Sequence, residues 1–266
     1  MRIFSLALAG CNLRGALFDE KALSELIPYT DNLKILHFHN NMTGDEGAIA
    51  ISEVVQKSPM LENFRCSSTR VGTDGGISLA EALGACVNMN KLDLRDNLFG
   101  VEAGPKEIVN ALKLSVPGLE VLELAGNEIT AAAAPVFVIL LGAGAAQNLK
   151  KLGLSENNLK DEGTIVIAKA VEEQTGLREL DLSSNLIQRA GARTLAKAVV
   201  NKEEFELLNI NGNAISDVGL DEVKDIFNGS DVLGPLDEND IDLFHVLDEE
   251  GELKAKLRHL NVESEE

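Results

Sequence analysis

Hydrophobic residues in this chain recur in a short fixed word, L-x-L-x-x-N-x-L, rather than in one continuous helical or strand-like pattern. Copies begin at Leu36, Leu92, Leu122, Leu152, Leu180 and Leu208, and looser ones at Leu6 and Phe64. The polar slot of the word falls at Cys11, Asn41, Thr69, Asn97, Asn127, Asn157, Asn185 and Asn213. Its spacings are 30, 28, 28, 30, 30, 28 and 28 residues. A period this steady marks stacked repeats. Within L-x-L the alternation places both leucines on one face of a short strand and the x residues on the other. A glycine often follows the word, as at Gly44, Gly47, Gly75, Gly104, Gly163, Gly191 and Gly219, and helical spacing comes next, as in Ala192-Leu195-Ala196-Val199.

Each repeat is therefore a strand, a sharp turn and a helix that returns the chain to the next parallel strand. At the turn, backbone groups lose their ladder partners. A buried Asn amide both donates and accepts there, and Cys11 or Thr69 does so less completely. Leaving such groups unpaired costs roughly 1–3 kcal/mol per site. The fold class is α/β: a leucine-rich-repeat solenoid, or horseshoe, of the long ribonuclease-inhibitor-like type with about eight strand–helix repeats over residues 1–230. No polar cap precedes Leu6, so the exposed N-terminal edge is expected to be covered by upstream residues or by another chain. Repeats are expected to stop after Phe227. Residues 231–266 hold twelve acidic and three basic residues, an acidic tail in which Leu243 to Leu260 would form a small capping helix.

Composition narrows the function. The net charge is −19 and the pI about 4.6, which argues against nucleic acid and against anionic membrane surfaces and favours basic protein partners. With no tryptophan and one tyrosine, the core is expected to be aliphatic. Three scattered cysteines (Cys11, Cys66, Cys86) suit a reducing compartment better than a disulfide framework. No apolar run reaches membrane-spanning length, so no membrane insertion is expected. Leu8-Ala9-Gly10-Cys11 resembles a lipoprotein cleavage box, but the preceding apolar stretch is very short and the repeat already gives Cys11 a structural place.

The sequence contains no HExxH, GxSxG, P-loop or CxxC motif. Gly142-Ala143-Gly144 lacks the third glycine of a dinucleotide fingerprint and reads as a helix end. His37 and His39 sit two apart on one strand without a third metal ligand nearby in sequence. Asn41-Met42-Thr43 and Asn228-Gly229-Ser230 match the glycosylation pattern but are discounted for a chain that reads as intracellular. Neither a cofactor nor an active site of the chain's own is expected.

The surface remains. The x positions of the strands line the concave face: His37, His39, Arg65, Ser67, Asp93, Arg95, Glu123, Ser155, Asp181, Ser183, Asn209 and Asn211. The strand-to-helix turns form a rim beside it. Singly these are solvated repeat positions, but together they make a binding crescent. The residues expected to touch a partner are His37, His39, Asn40, Asn41, Arg65, Thr69, Arg70, Arg95, Asp96 and Asn97, with Arg70 the most unusual.

Several strings resemble the Ran GTPase-activating proteins, in particular their plant-like branch. They are Gly10-Cys11-Asn12-Leu13, Asn40 to Ala48, Phe64-Arg65-Cys66-Ser67-Ser68-Thr69-Arg70, Lys91 to Asn97 with Phe99-Gly100-Val101-Glu102, and Leu233 to Asp240. The similarity runs from about residue 4 to 240. It implies GTP-bound Ran as partner and acceleration of Ran's hydrolysis in nucleocytoplasmic transport, in the cytoplasm or at the nuclear envelope. In that family the activator positions Ran's own glutamine and inserts no arginine finger. The family's turn asparagine near the nucleotide falls on Thr69, with Arg70 after it. The chain departs from the family's pattern in three places: it starts after the family's N-terminal repeats and their activating arginine, it lacks one repeat between Gly104 and Leu119, and its acidic tail is short and mixed where the family's is long. The alternative is a noncatalytic interaction scaffold that binds without stimulating hydrolysis.

Overall fold

The computed structural model describes residues 5–9, 27–99, 106, 108–110, 118–142 and 147–240. Each described word folds as a short strand: β1 Ser5–Ala9, β2 Ile35–His39, β3 Asn63–Arg65, β4 Lys91–Asp93, β5 Val121–Glu123, β6 Lys151–Gly153, β7 Glu179–Asp181 and β8 Leu207–Asn209. They pair in sequence order into one eight-stranded parallel sheet. The register is that of the word itself, with Leu36↔Phe64, Phe64↔Leu92, Leu92↔Leu122, Leu122↔Leu152, Leu152↔Leu180 and Leu180↔Leu208 facing one another. β4 pairs directly with β5, so no further strand lies between them.

The return segments are α1 Gly44–Gln56, α2 Thr73–Leu83, α3 Ala134–Leu141, α4 Lys160–Glu173, α5 Arg189–Val199 and α6 Asp217–Phe227. Their inward stripes, such as Ile51 and Val55, Leu79 and Leu83, or Leu195 and Val199, meet the leucines of the strands in one buried cluster. Burial of that apolar surface, at roughly 25 cal/mol per Å², drives the stacking. The core is not purely aliphatic. Phe38, Phe64, Phe99 and Phe137 are its largest fully buried side chains, because the strand word and the helix stripe accept any large apolar residue.

Turn geometry follows a rule the word does not spell out. The residue before each described slot has positive φ: Asn40, Ser68, Asp96, Gly126, Glu156, Ser184 and Gly212. Beyond the slot the described turns differ. Arg70, Glu128 and Leu186, each one past its slot, have positive φ, whereas Gly44 and Lys160 do so three past theirs.

The repeats also run further than the expected stop. Leu233 bridges Leu208 in parallel. The Asn239 side chain then accepts from the Asn213 backbone N–H at 3.0 Å and donates to the Leu236 carbonyl at 3.0 Å. Residues 232–240 thus continue the ladder by one coil, which corrects the expected end of the repeats after Phe227. Cys11, Gly104, Ala143, Gly144 and the anticipated capping helix at 243–260 lie outside the described residues.

A polar ladder beneath a candidate docking face

Seven of the eight predicted slots are described, and all seven side chains are buried. Asn97 shows the design. Its Oδ1 accepts from the Thr69 and Val71 N–H groups at 3.3 and 3.1 Å and from Thr69 Oγ1 at 2.8 Å. Its Nδ2 donates to the carbonyls of Cys66 and Leu94 at 2.7 and 3.0 Å. Asn127, Asn157, Asn185 and Asn213 repeat the scheme, each accepting from the coil before it. Thr69 supplies its hydroxyl to the chain, and its carbonyl receives Gly44 N–H at 3.1 Å and Thr43 Oγ1 at 3.3 Å. Asn41, Thr69 and Asn97 therefore do not present side chains to a partner. Their neighbours Asn40, Arg70 and Asp96 are exposed.

A second device joins unlike coils. Asp45 Oδ1, in the first turn of α1, accepts from Gly72 N–H at 2.6 Å and Gly75 N–H at 3.0 Å at the start of α2. Asp161 does the same for Gln188 and Gly191 at the start of α5, at 2.7 and 3.0 Å. Each carboxylate caps the following coil's helix, where unsatisfied N–H groups and the helix dipole favour an anion. Sequence reasoning missed these two residues. Their only signal was an aspartate four places after the slots at Asn41, Asn157 and Asn213.

The sheet face brings His37, His39, Arg65, Asp93 and Arg95 together. Arg95 grips Asp93 with both its Nε, at 3.0 Å, and its Nη2, at 2.8 Å. Arg65 Nε reaches the same carboxylate at 3.0 Å and Ser67 Oγ at 2.9 Å. Burial raises the Asp93 pKa, but Arg95's hydrogen bonds and the two guanidinium charges outweigh it and hold the carboxyl below its ordinary value. His37 Nε2 pairs with Asn63 Oδ1 at 3.1 Å. His39 has a buried Nδ1 without a hydrogen-bond partner among the described residues. Burial, then the charges of Arg65 and His37, lower its pKa, so it sits neutral at physiological pH. Further along, Glu123 is pushed up by burial despite Lys151 and Arg95 nearby, and Lys151 lies between Glu123 and Glu179 at 3.4 and 3.3 Å.

On the rim, Asn40, Arg70 and Asp96 are exposed. Arg70 has φ 58° and makes no hydrogen bond or ion pair among the described residues. Asp96 accepts from Ser68 Oγ at 3.0 Å. A notch of about 480 Å³, lined by Gly126, Glu128, Thr130, Glu156, Asn157 and Asn158, follows on the same rim. The arrangement is polarised: arginines cluster toward β3 and β4, carboxylates toward the later coils. Among the described residues no group of three potential metal ligands occurs, and no helix is long and apolar enough to cross a membrane.

Sheet, ladder and repeat word together define a leucine-rich-repeat solenoid, and a leucine-rich-repeat family profile matches residues 145–168 and 175–196. The chain is also similar to RAN GTPase-activating protein 2 of Arabidopsis thaliana, with 51% identity over 143 residues. Those residues are 53% of this chain and 26% of that protein, so the match spans about a quarter of the relative's length. The resemblance read from the strings above is borne out.

Proposed function

We propose that this chain is the docking crescent of a GTPase-activating protein for the small GTPase Ran. It acts by binding GTP-bound Ran and positioning Ran's own catalytic residues, without an active site of its own. The 51% identity to RAN GTPase-activating protein 2 carries this reading. The geometry supports it physically. A ladder in which each buried amide makes several hydrogen bonds holds neighbouring coils rigidly, and a rigid face positions a bound protein without reorganising during the reaction. Arg70, exposed in the turn beside the buried Thr69, is the rim residue assigned to contact Ran, together with Asn40 and Asp96; His37, His39, Arg65 and Arg95 serve on the sheet face.

The net charge of −19 steers a basic partner toward the crescent, so association slows as salt rises. The working compartment is the cytoplasm or the cytoplasmic side of the nuclear envelope. The test pairs binding with turnover: immobilised protein is offered Ran loaded with GTP or GDP, and hydrolysis is followed alongside. Preferential capture of the GTP form with accelerated hydrolysis supports the reading. Capture without acceleration leaves the noncatalytic scaffold, and no capture by folded protein rejects Ran as partner.

A further inference from the structure

Two arginines on the sheet face share one carboxylate. Asp93, half-buried between β3 and β5, takes both Nε and Nη2 of Arg95 and the Nε of Arg65. Among the described residues Arg65 uses Nε alone, donating to Ser67 Oγ and lying 3.0 Å from the Asp93 carboxylate. Its two terminal amino groups, four N–H donors in a fixed fork, have no partner among the described residues. Its side chain is 34% exposed and that of Arg95 39%. The cluster therefore holds one more positive charge than negative and directs an unfilled fork away from the sheet. A planar guanidinium edge of that kind matches a carboxylate in bidentate geometry.

We propose that Arg65 and Arg95, held in place by Asp93, form a docking point for a single carboxylate of an acidic side chain on the partner protein. The inference rests on the crescent being a protein-docking face. A monoanion fits better than a phosphate. The local surplus is one charge, Asp93 and Glu123 stand nearby, and the whole chain repels a dianion about twice as strongly as a single carboxylate. The point also gives the face a direction. A basic partner drawn to the acidic later coils must bring one acidic group to the β3–β4 end, or the arginines meet unpaired cations and the pose is rejected.

Asp93→Asn separates this from a structural role. Asparagine keeps the shape and acceptor oxygen but removes the competing charge, so a partner's carboxylate meets two less-neutralised arginines and binds about five- to tenfold tighter. Arg65→Gln weakens it by a similar factor. Both variants and wild type are titrated with a capped peptide bearing a single glutamate and with inorganic phosphate, following the Arg65 and Arg95 Nε–H signals by NMR, and separately with Ran bearing a non-hydrolysable GTP analogue. Tightening by Asp93→Asn and weakening by Arg65→Gln, toward the peptide more than phosphate, is the expected result. Equal or stronger response to phosphate, or weaker peptide binding by a folded Asp93→Asn protein, overturns it. Should Arg65→Gln alone fold, its unchanged peptide affinity also overturns it. Peptide binding as expected without Ran binding removes the Ran reading and keeps the docking point. Ran binding indifferent to both variants does the reverse.

Discussion

Asp45 Oδ1 accepts the Gly75 backbone N–H at 3.0 Å across the boundary between two coils. The contact needs glycine, because a Cβ on Gly75 would stand 2.7 Å from Asp45 Oδ1, 2.8 Å from Ala48 Cβ and 2.9 Å from Val71 Cγ1. Asp45→Ala removes a cap that serves two N–H groups and is expected to cost about 1 kcal/mol, within the range for N-cap deletions. Gly75→Ala should cost more, since two of the three atoms it meets are packed core groups. Urea unfolding of the two variants checks the order; equal stability of both with wild type would contradict the cap.

Asn97 offers a sharper comparison. Asn97→Ala leaves the Thr69 and Val71 N–H groups without their side-chain acceptor in a buried site and takes one of two donors from the Cys66 and Leu94 carbonyls, and a loss of about 3 kcal/mol follows from the unpaired-group penalty. Asn97→Asp retains the acceptor but turns the donor end into a second acceptor facing the Cys66 and Leu94 carbonyls. It should be worse than alanine at neutral pH and recover partly in acid, when the carboxyl regains a proton to donate. Chemical denaturation at pH 7 and pH 5 reads both signs.

His39 predicts a pH dependence. Its folded pKa lies below the ordinary value, so the unfolded chain binds the proton more readily. As pH falls below about 6.5, the unfolded form protonates first and stability declines until the folded pKa is passed. His39→Gln should flatten that part of the stability–pH curve. Asp93 adds a further loss at lower pH, because its depressed carboxyl stabilises the fold above its ordinary value and stops doing so as it protonates.

Cys66 and Cys86 should resist thiol reagents in the native state. Burial pushes both thiols up to about 12, leaving little thiolate at neutral pH. Labelling followed by mass spectrometry is expected to modify these two positions only as the chain unfolds; rapid native labelling would contradict their burial.

The period of the word gave away the strands, the parallel register and the slot residues because each depends on a side chain that must be apolar or amide-bearing. Asn239 escaped, since its coil has no L-x-L strand and its spacing from Asn213 is 26 residues rather than 28 or 30. The positive-φ residues before the slots escaped for another reason. Asn40, Ser68, Asp96 and Glu156 share a backbone conformation but no side-chain type. The candidate site was legible as a face, not residue by residue. Asn41, Thr69 and Asn97 carry the ladder, whereas Arg65, Arg70 and Arg95 point outward, and only packing distinguishes one group from the other.

The most direct measurement is single-turnover GTP hydrolysis by Ran at saturating concentrations of this protein and of Arg70→Ala. The account predicts acceleration of about 10³-fold or more, as for other activated GTPases, and a loss of about tenfold on removing Arg70 without a change in unfolding midpoint. A Ran hydrolysis rate left at its intrinsic value by the folded wild-type protein would contradict it.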